Sequence, residues 1–152
     1  MGQIVQISLS SGGVPKTAVS VAQVNLDGLV GDRQATPNIH GGPERAVCLW
    51  AQEVIDSLQQ AGHPIAAGSA GENVTISGLD WIQITPGVKL KLGTNVLLEI
   101  TSYAAPCRKN ARWFTDRRYS RITHKKHPGM SRVYARVITG GMIRLGDGVV
   151  LL

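Results

Sequence analysis

The chain is short of cysteine, of aromatic side chains and of long apolar runs. Two cysteines in 152 residues cannot build a disulfide framework, so we expect reduced thiols and a cytoplasmic location. Aromatic residues make up only 5% of the chain, which is little for a protein that stacks on nucleic-acid bases. No apolar run approaches the roughly 18 residues of a membrane span, so we expect no membrane association.

What the chain does contain is glycine and short stretches of alternating apolar residues. Its 152 residues, 43% of them apolar, suit a single domain over residues 1–152. Short strands with glycine corners predict a mostly β fold: a closed or nearly closed, mainly antiparallel β-barrel with one principal helix and short helical or loop insertions. The predicted strands are 3–9, 18–24, 46–50, 72–76, 88–92, 96–102, 132–139, 142–145 and 149–152.

The principal helix is predicted over residues 52–61. Its apolar residues recur on one face, and Gly62 then provides a left-handed C-terminal cap. A second pattern is shared by residues 92–96 and 145–149, where glycine and a small polar residue lie between apolar stretches. This pattern predicts two similar hairpins.

Positive charge is concentrated in one stretch that begins at a cysteine. Eight of the 16 lysines and arginines lie between Cys107 and Lys126, against the single acid Asp116, so this stretch carries +7 and the rest of the chain −1, which together give +6. Neighbouring cations favour the thiolate form of cysteine, which attacks, carries sulfur or binds a soft metal. We therefore expect a site built from one reactive sulfur and an anion-binding rim, and the partner is either a small anionic ligand or nucleic acid.

Four short motifs resemble the MOSC family, the domain found at the C-terminus of molybdenum-cofactor sulfurases and in small stand-alone bacterial proteins. They are Gly31-Asp32-Arg33-Gln34, His40-Gly41-Gly42-Pro43-Glu44-Arg45-Ala46-Val47, Gly71-Glu72-Asn73-Val74-Thr75 and Ala105-Pro106-Cys107-Arg108-Lys109. With the closing residues 136–147, the ordered match covers most of the chain. The resemblance implies a β-barrel, one functional cysteine corresponding to Cys107, and handling of molybdopterin or of sulfur destined for it.

The same resemblance implies a role for each motif. Cys107 would be catalytic and would ligate molybdenum or hold a persulfide, while His40 would donate a hydrogen bond or shuttle a proton. Charged side chains and glycine backbone N–H groups would hold the anionic molybdenum cofactor, molybdopterin. The implied cofactor-binding residues are Asp32, Arg33, Gly41, Gly42, Arg45, Gly71, Glu72, Asn73, Arg108 and Lys109.

The resemblance also bears on other cofactors and on partner proteins. A sulfurase carries an aminotransferase-like domain, for which 152 residues leave no room, so we expect no pyridoxal phosphate bound by this chain itself. Any persulfide on Cys107 would then come from a separate cysteine desulfurase. A reductase would instead need a redox partner protein.

Three functions stay open at this point. The first is a molybdenum-cofactor-binding protein that, as an enzyme, would be a molybdenum-dependent oxidoreductase reducing N-hydroxylated compounds through Cys107. The second is a sulfur carrier, or sulfur transferase, whose Cys107 persulfide supplies metal–sulfur cofactor assembly. The third is a nucleic-acid-binding barrel that uses residues 108–126, and the low aromatic content makes nucleic acid the least expected partner.

Several of these residues also have a purely structural interpretation. Asp32 could cap a turn, and Glu72 and Asn73 could stabilise the loop that leads into the next strand. Cys48 is flanked by apolar residues and is expected to be an inert buried thiol. His63, between a glycine and a proline, is expected to be solvated.

Overall fold

The computed structural model describes residues 1–10, 12, 14–32 and 42–152. Within these ranges the chain forms strands β1 Gly2–Leu9, β2 Thr17–Val19, β3 Val21–Asn25, β4 Gly28–Leu29, β5 Val47–Ala51, β6 Val74–Ser77, β7 Lys89–Leu92, β8 Val96–Tyr103, β9 Val133–Thr139, β10 Gly141–Arg144 and β11 Gly148–Leu151, with helix α1 Gln52–Gln60 between β5 and β6. Short 3-10 helices span Pro43–Arg45, Trp81–Gln83, Arg108–Trp113 and Tyr119–Ile122.

Seven of the strands close into a barrel. Their order around it is β7, β8, β9, β5, β6, β1 and β11, and β11 pairs with both β1 and β7, so the ring is complete. At the closing contact, Gly2 lies opposite Val149. The pairings around the ring are antiparallel except that of β5 with β6. The predicted mainly antiparallel β-barrel is therefore confirmed.

The parallel pair explains where the principal helix lies. Parallel neighbours need a crossover connection, and α1 begins directly after β5 and supplies it. The helix buries Val54, Ile55 and Leu58 and packs against β5 and β6. Gly62 follows it with a φ of 96°, the left-handed conformation predicted for its cap. No helix in the described part of the chain is long and apolar enough to cross a membrane.

One of the two predicted hairpins is wrong. Residues 92–96 do turn between β7 and β8, where Leu92 lies opposite Val96. In contrast, β10 pairs with β3 in a separate three-stranded sheet, while β11 belongs to the barrel. The reason is that the turn between them bonds to β1 instead: Gly146 N–H donates to the Ile4 carbonyl, and Ile4 N–H donates to the Asp147 carbonyl, both at 2.9 Å.

Alternation along the strands separates the barrel interior from an outer polar face. Successive strand residues point to opposite sides, and in β9 the interior receives Val133, Ala135 and Val137, all buried in the apolar core. Tyr134 therefore points outward, and its partner across the ladder, Cys48 of β5, points the same way. On the other side of Tyr134 in the ladder lies Ser102 of β8, and Cys107 follows four residues after β8 ends at Tyr103.

Candidate functional site

Cys107 is an exposed free thiol where the chain passes from β8 into a basic 3-10 helix. Its backbone is extended, and its carbonyl oxygen accepts the Asn110 N–H at 2.9 Å. Three residues earlier, the Ala104 N–H donates to the Arg132 carbonyl at 2.9 Å, which ties the approach to Cys107 to the start of β9. The thiol thus sits at a defined backbone position and is open to a ligand.

Exposed cations follow the thiol directly. Arg108 and Lys109 are exposed, and neither forms an ion pair among the described residues. Arg112 behaves differently, because its guanidinium lies over the Trp113 ring at 4.5 Å from the centroid. The first two cations are therefore the ones in this helix that remain available to an anion bound beside Cys107.

The chain that follows is held down by His63, which is buried rather than solvated as predicted. Thr115 N–H donates to His63 Nδ1 at 3.2 Å, and the imidazole meets the Phe114 ring edge-on at 5.4 Å between centroids. The flanking glycine and proline suggested an exposed turn, but residues 114–115 fold over the ring and cover it. Nearby, Arg121 pairs with Asp116 and lowers the pKa of that carboxyl to about 2.

Tyr134 brings the second motif close to the cysteine. The guanidinium of Arg45, at the end of a 3-10 helix, lies 5.5 Å from the centroid of the Tyr134 ring. Burial raises the pKa of Tyr134 to about 12; negative charge on Cys48 and, more weakly, on Cys107 also raises it, while the positive charges of Arg132 and Arg45 oppose the rise. Arg45 and both thiols therefore lie within electrostatic range of one phenol.

Asp32 lies in a buried ion pair with a lysine that the sequence did not single out. Lys16 Nζ is 2.6 Å from Asp32 Oδ2, and the two side chains are only 5% and 4% exposed. Asn73 Nδ2 donates to the same oxygen at 2.9 Å, and Ser10 N–H donates to Oδ1 at 3.0 Å. The structure thus joins Asp32 and Asn73, two predicted site residues, through a network anchored by Lys16.

The Asn73 side chain is engaged by protein groups on both sides. Its Oδ1 accepts the Cys48 N–H at 3.0 Å, and its Nδ2 also lies 3.4 Å from the Ser8 carbonyl. Its backbone continues the sheet, since Asn73 N–H donates to the Cys48 carbonyl at 2.7 Å. These contacts match the structural interpretation of Asn73, and its role as a cofactor ligand stays a prediction.

Glu72 is fully buried, and only one of its carboxyl oxygens accepts a hydrogen bond from the described residues. Gly68 N–H donates to Oε2 at 3.0 Å, whereas Oε1 has no hydrogen-bond partner among the described residues. Burial raises the pKa of Glu72 to about 7, against the opposing effects of the Gly68 hydrogen bond and the charge of Arg132. The turn over this carboxyl needs glycine at Gly71, where φ is 99° and an added Cβ would lie 2.9 Å from Val14 Cγ1.

Arg132 is a second buried cation that sequence reasoning missed. Its Nη1 donates to the Ala70 carbonyl at 2.7 Å, and its Nη2 donates to the Ala104 carbonyl at 3.4 Å. Arginine is mostly exposed in proteins, and nothing in the local sequence marks this one as buried. It lies directly before β9, between two loops that are distant from it in sequence. Only the three-dimensional structure therefore shows that it is buried.

Cys48 is buried, as predicted, but its surroundings are not those expected. Its side chain is outside the main apolar cluster and lies in the electrostatic range of Arg132, Glu72 and Lys16. Burial raises the pKa of Cys48 to about 11, so the thiol stays protonated at neutral pH. The apolar neighbours in sequence misled because alternate residues of β5 point to opposite sides.

Of the four predicted site residues that remain, the structure describes Gly42. Gly42 is exposed, with a φ of 94°, and precedes the 3-10 helix that ends at Arg45. Arg33, His40 and Gly41 lie outside the described residues. Their roles stay predictions, as do those of the residues that the structure places.

The described residues hold no cluster of three or more histidine, cysteine, aspartate or glutamate side chains arranged to bind a metal. Cys107 offers a single soft sulfur ligand. A donor set of this kind fits a metal that arrives with further ligands of its own, as part of a cofactor.

Comparison with known proteins identifies the family. A family model described as MOSC domain matches residues 36–150. The chain belongs to the MOSC domain family. In sequence, this MOSC domain is 26% identical to the uncharacterized protein YflK of Bacillus subtilis over 145 residues, 28% identical to YiiM of Escherichia coli over 106 residues, and 31% identical over 130 residues to a protein of Gibberella moniliformis named Reductase.

The matches cover most of this chain but less of the relatives. They include 95%, 59% and 82% of this chain, and 64%, 45% and 22% of YflK, YiiM and the Reductase, respectively. The MOSC domain described here therefore spans less than two thirds of the length of these relatives.

Solved structures support the same barrel. YiiM from Geobacillus stearothermophilus superposes with a TM-score of 0.76 at 25% identity, over 100% of this chain and 75% of that one. YuaD from Bacillus subtilis has a TM-score of 0.73 at 16% identity, over 98% of this chain and 94% of that one, and shows the fold alone.

Proposed function

We propose that this MOSC domain binds a molybdenum cofactor of the molybdopterin type, with the Cys107 thiolate as a ligand to the metal. The observation that carries the proposal is the exposed, free Cys107 thiol at the start of a basic 3-10 helix. Thiolate is a soft ligand, and an exposed position lets it reach a metal without rearrangement of the barrel.

The cations around the thiol fit the anionic part of such a cofactor. Arg45, Arg108 and Lys109 are exposed, and none of them forms an ion pair among the described residues. Guanidinium and ammonium groups bind phosphate through charge-assisted hydrogen bonds. In this proposal they hold and orient the cofactor, while Cys107 contacts its metal.

When bound, the metal would supply two-electron redox chemistry, of the kind that the reduction of N-hydroxylated compounds requires. The relative from Gibberella moniliformis named Reductase gives this direction its support, although the match includes only 22% of that protein. Among the residues of this chain, Tyr134 stays a neutral phenol at physiological pH because its pKa is about 12. Electrons would come from a redox partner protein in the cytoplasm, where Cys107 remains reduced.

The second candidate uses the same thiol without a metal. An exposed cysteine beside cations can also carry a persulfide received from a cysteine desulfurase, for delivery to metal–sulfur assembly. The two candidates differ in what the purified protein carries: molybdenum in the first, sulfane sulfur in the second.

The test is molybdenum content and sulfane-sulfur labelling after expression in a host that makes the cofactor. Wild type is compared with Cys107→Ser and with Cys48→Ser, a matched control because Cys48 is buried and stays protonated. We expect wild type and Cys48→Ser to hold molybdenum and Cys107→Ser to hold none, with thermal melts to show that both variants fold.

Molybdenum retained by Cys107→Ser at the wild-type level would overturn the proposal. Sulfane sulfur on Cys107 in a wild type that takes up no molybdenum would replace it with the carrier role.

A further inference from the structure

Arg132 connects two loops that border the candidate site. Its guanidinium donates to the carbonyl of Ala70, in the turn of residues 68–71, and to the carbonyl of Ala104, three residues before Cys107. Its own carbonyl accepts the Ala104 N–H at 2.9 Å and the Ser131 hydroxyl at 2.6 Å. We call the two guanidinium contacts, to Ala70 and Ala104, the Arg132 bridge.

The bridge uses a buried charge that forms no ion pair with a carboxylate among the described residues. Arg132 is 6% exposed and forms no ion pair among the described residues, and its Nε has no hydrogen-bond partner there. Glu72, whose pKa the charge of Arg132 lowers slightly against the larger effect of burial, accepts a hydrogen bond from Gly68 N–H instead. Buried charges are normally paired, so a buried arginine whose bonds to the described residues all go to carbonyl oxygens indicates that its forked shape matters.

We propose that Arg132 is a positioning residue that fixes the segment leading to Cys107 against the turn of residues 68–71. It acts on the thiol through Ala104, and it holds the turn of residues 68–71 through Ala70. The inference deepens the proposed function and rests on it only in taking Cys107 as the functional residue. The turn of residues 68–71 and the segment that leads to Cys107 both depend on this one side chain. Both segments should therefore become more mobile when the guanidinium is replaced.

A lysine substitution at Arg132 distinguishes the effect of the positive charge from the effect of the guanidinium shape. Arg132→Lys keeps a positive charge, but a single ammonium does not reproduce a planar fork that reaches two carbonyl groups. The matched control is Arg136→Lys on the same strand, where the guanidinium pairs with Glu99 at 2.5 Å on the barrel surface. If Arg132 only contributes charge, both lysine variants will behave alike.

The first measurement is amide hydrogen exchange on the protein without cofactor. In Arg132→Lys we expect exchange in residues 68–71 and 104–110 to rise together, by roughly tenfold for loss of a hydrogen bond from a charged group, while strands β7 and β8 keep their protection. The Arg136→Lys control should leave both loops unchanged. Wild-type exchange in both loops, a rise in one loop alone, or an equal rise across the barrel strands would overturn the bridge.

The second measurement is the alkylation rate of Cys107 against pH, followed on the Cys107 peptide. Because lysine retains the charge but not the fork, the bridge predicts a changed plateau rate in Arg132→Lys. A role through charge alone would instead leave the plateau as in wild type, and that result would contradict positioning.

These outcomes are independent of cofactor binding. If wild type takes up no molybdenum but Arg132→Lys opens both loops, the proposed function fails and the bridge stands. If wild type takes up molybdenum and Arg132→Lys leaves exchange and alkylation unchanged, the bridge fails and the proposed function stands.

Discussion

Glu72 gives the protein a pH-dependent stability that can be worked out from its surroundings. The side chain is fully buried, one oxygen has no partner among the described residues, and the pKa rises from 4.5 to about 7, chiefly because burial disfavours the charged form. In the unfolded chain the carboxyl titrates near its ordinary value of about 4.3. Between these values the folded protein binds more protons than the unfolded chain.

The sign follows from this difference in bound protons. Where the folded state holds more protons, the free energy of unfolding falls as pH rises. The favourable contribution of the protonated carboxyl is therefore present below about pH 4.5 and is lost by about pH 7, above which the dependence is flat. The interval from 4.5 to about 7, at about 1.4 kcal/mol per pH unit, gives a loss of about 3 kcal/mol.

The substitution Glu72→Gln removes the charge and keeps the size, so the variant should lack this slope. We expect urea unfolding to show wild type losing about 3 kcal/mol relative to Glu72→Gln between pH 4 and pH 8. Glu99→Gln, at a partly exposed carboxylate paired with Arg136, is the control and should not abolish the slope. A difference between wild type and Glu72→Gln that is the same at both pH values would show that Glu72 does not cause the pH dependence.

Two further predictions concern charged groups of the candidate site. Lys16→Met should destabilise the protein by about 3–5 kcal/mol in urea unfolding, because it leaves Asp32 buried without its counter-charge; a change below about 1 kcal/mol would show that the pair contributes little. The double variant Arg108→Ala/Lys109→Ala should lower the molybdenum content of the purified protein, since the proposed function uses these exposed cations to hold the anionic part of the cofactor. Wild-type molybdenum content in the double variant would contradict that role.

The sequence predicts the barrel well because its signals are local. Alternating apolar residues mark most strands, and α1 follows from one apolar face and a glycine cap. The wrong hairpin at residues 145–149 shows the limit of such signals. A glycine turn between two strands does not say which strands they join, and here the turn bonds to β1 instead.

Only part of the candidate site could be predicted from the sequence, again the part whose signal is local. Cys107 and the cations after it could be found from the sequence because their charge excess is contiguous. Lys16 and Arg132 could not, because burial of a cation depends on distant segments that cover it, and single polar residues give no periodic signal. The orientation of Cys48 toward the polar network likewise depends on strand alternation and not on its apolar neighbours in sequence.

The proposed contact between the sulfur of Cys107 and molybdenum is tested most directly by a distinctive atom at the sulfur position. Replacement of Cys107 by selenocysteine, followed by selenium K-edge X-ray absorption on protein loaded with molybdenum, reports the neighbours of that atom alone. We expect a molybdenum neighbour bonded to selenium. A sample that holds molybdenum but whose selenium has only carbon as its bonded neighbour would contradict it.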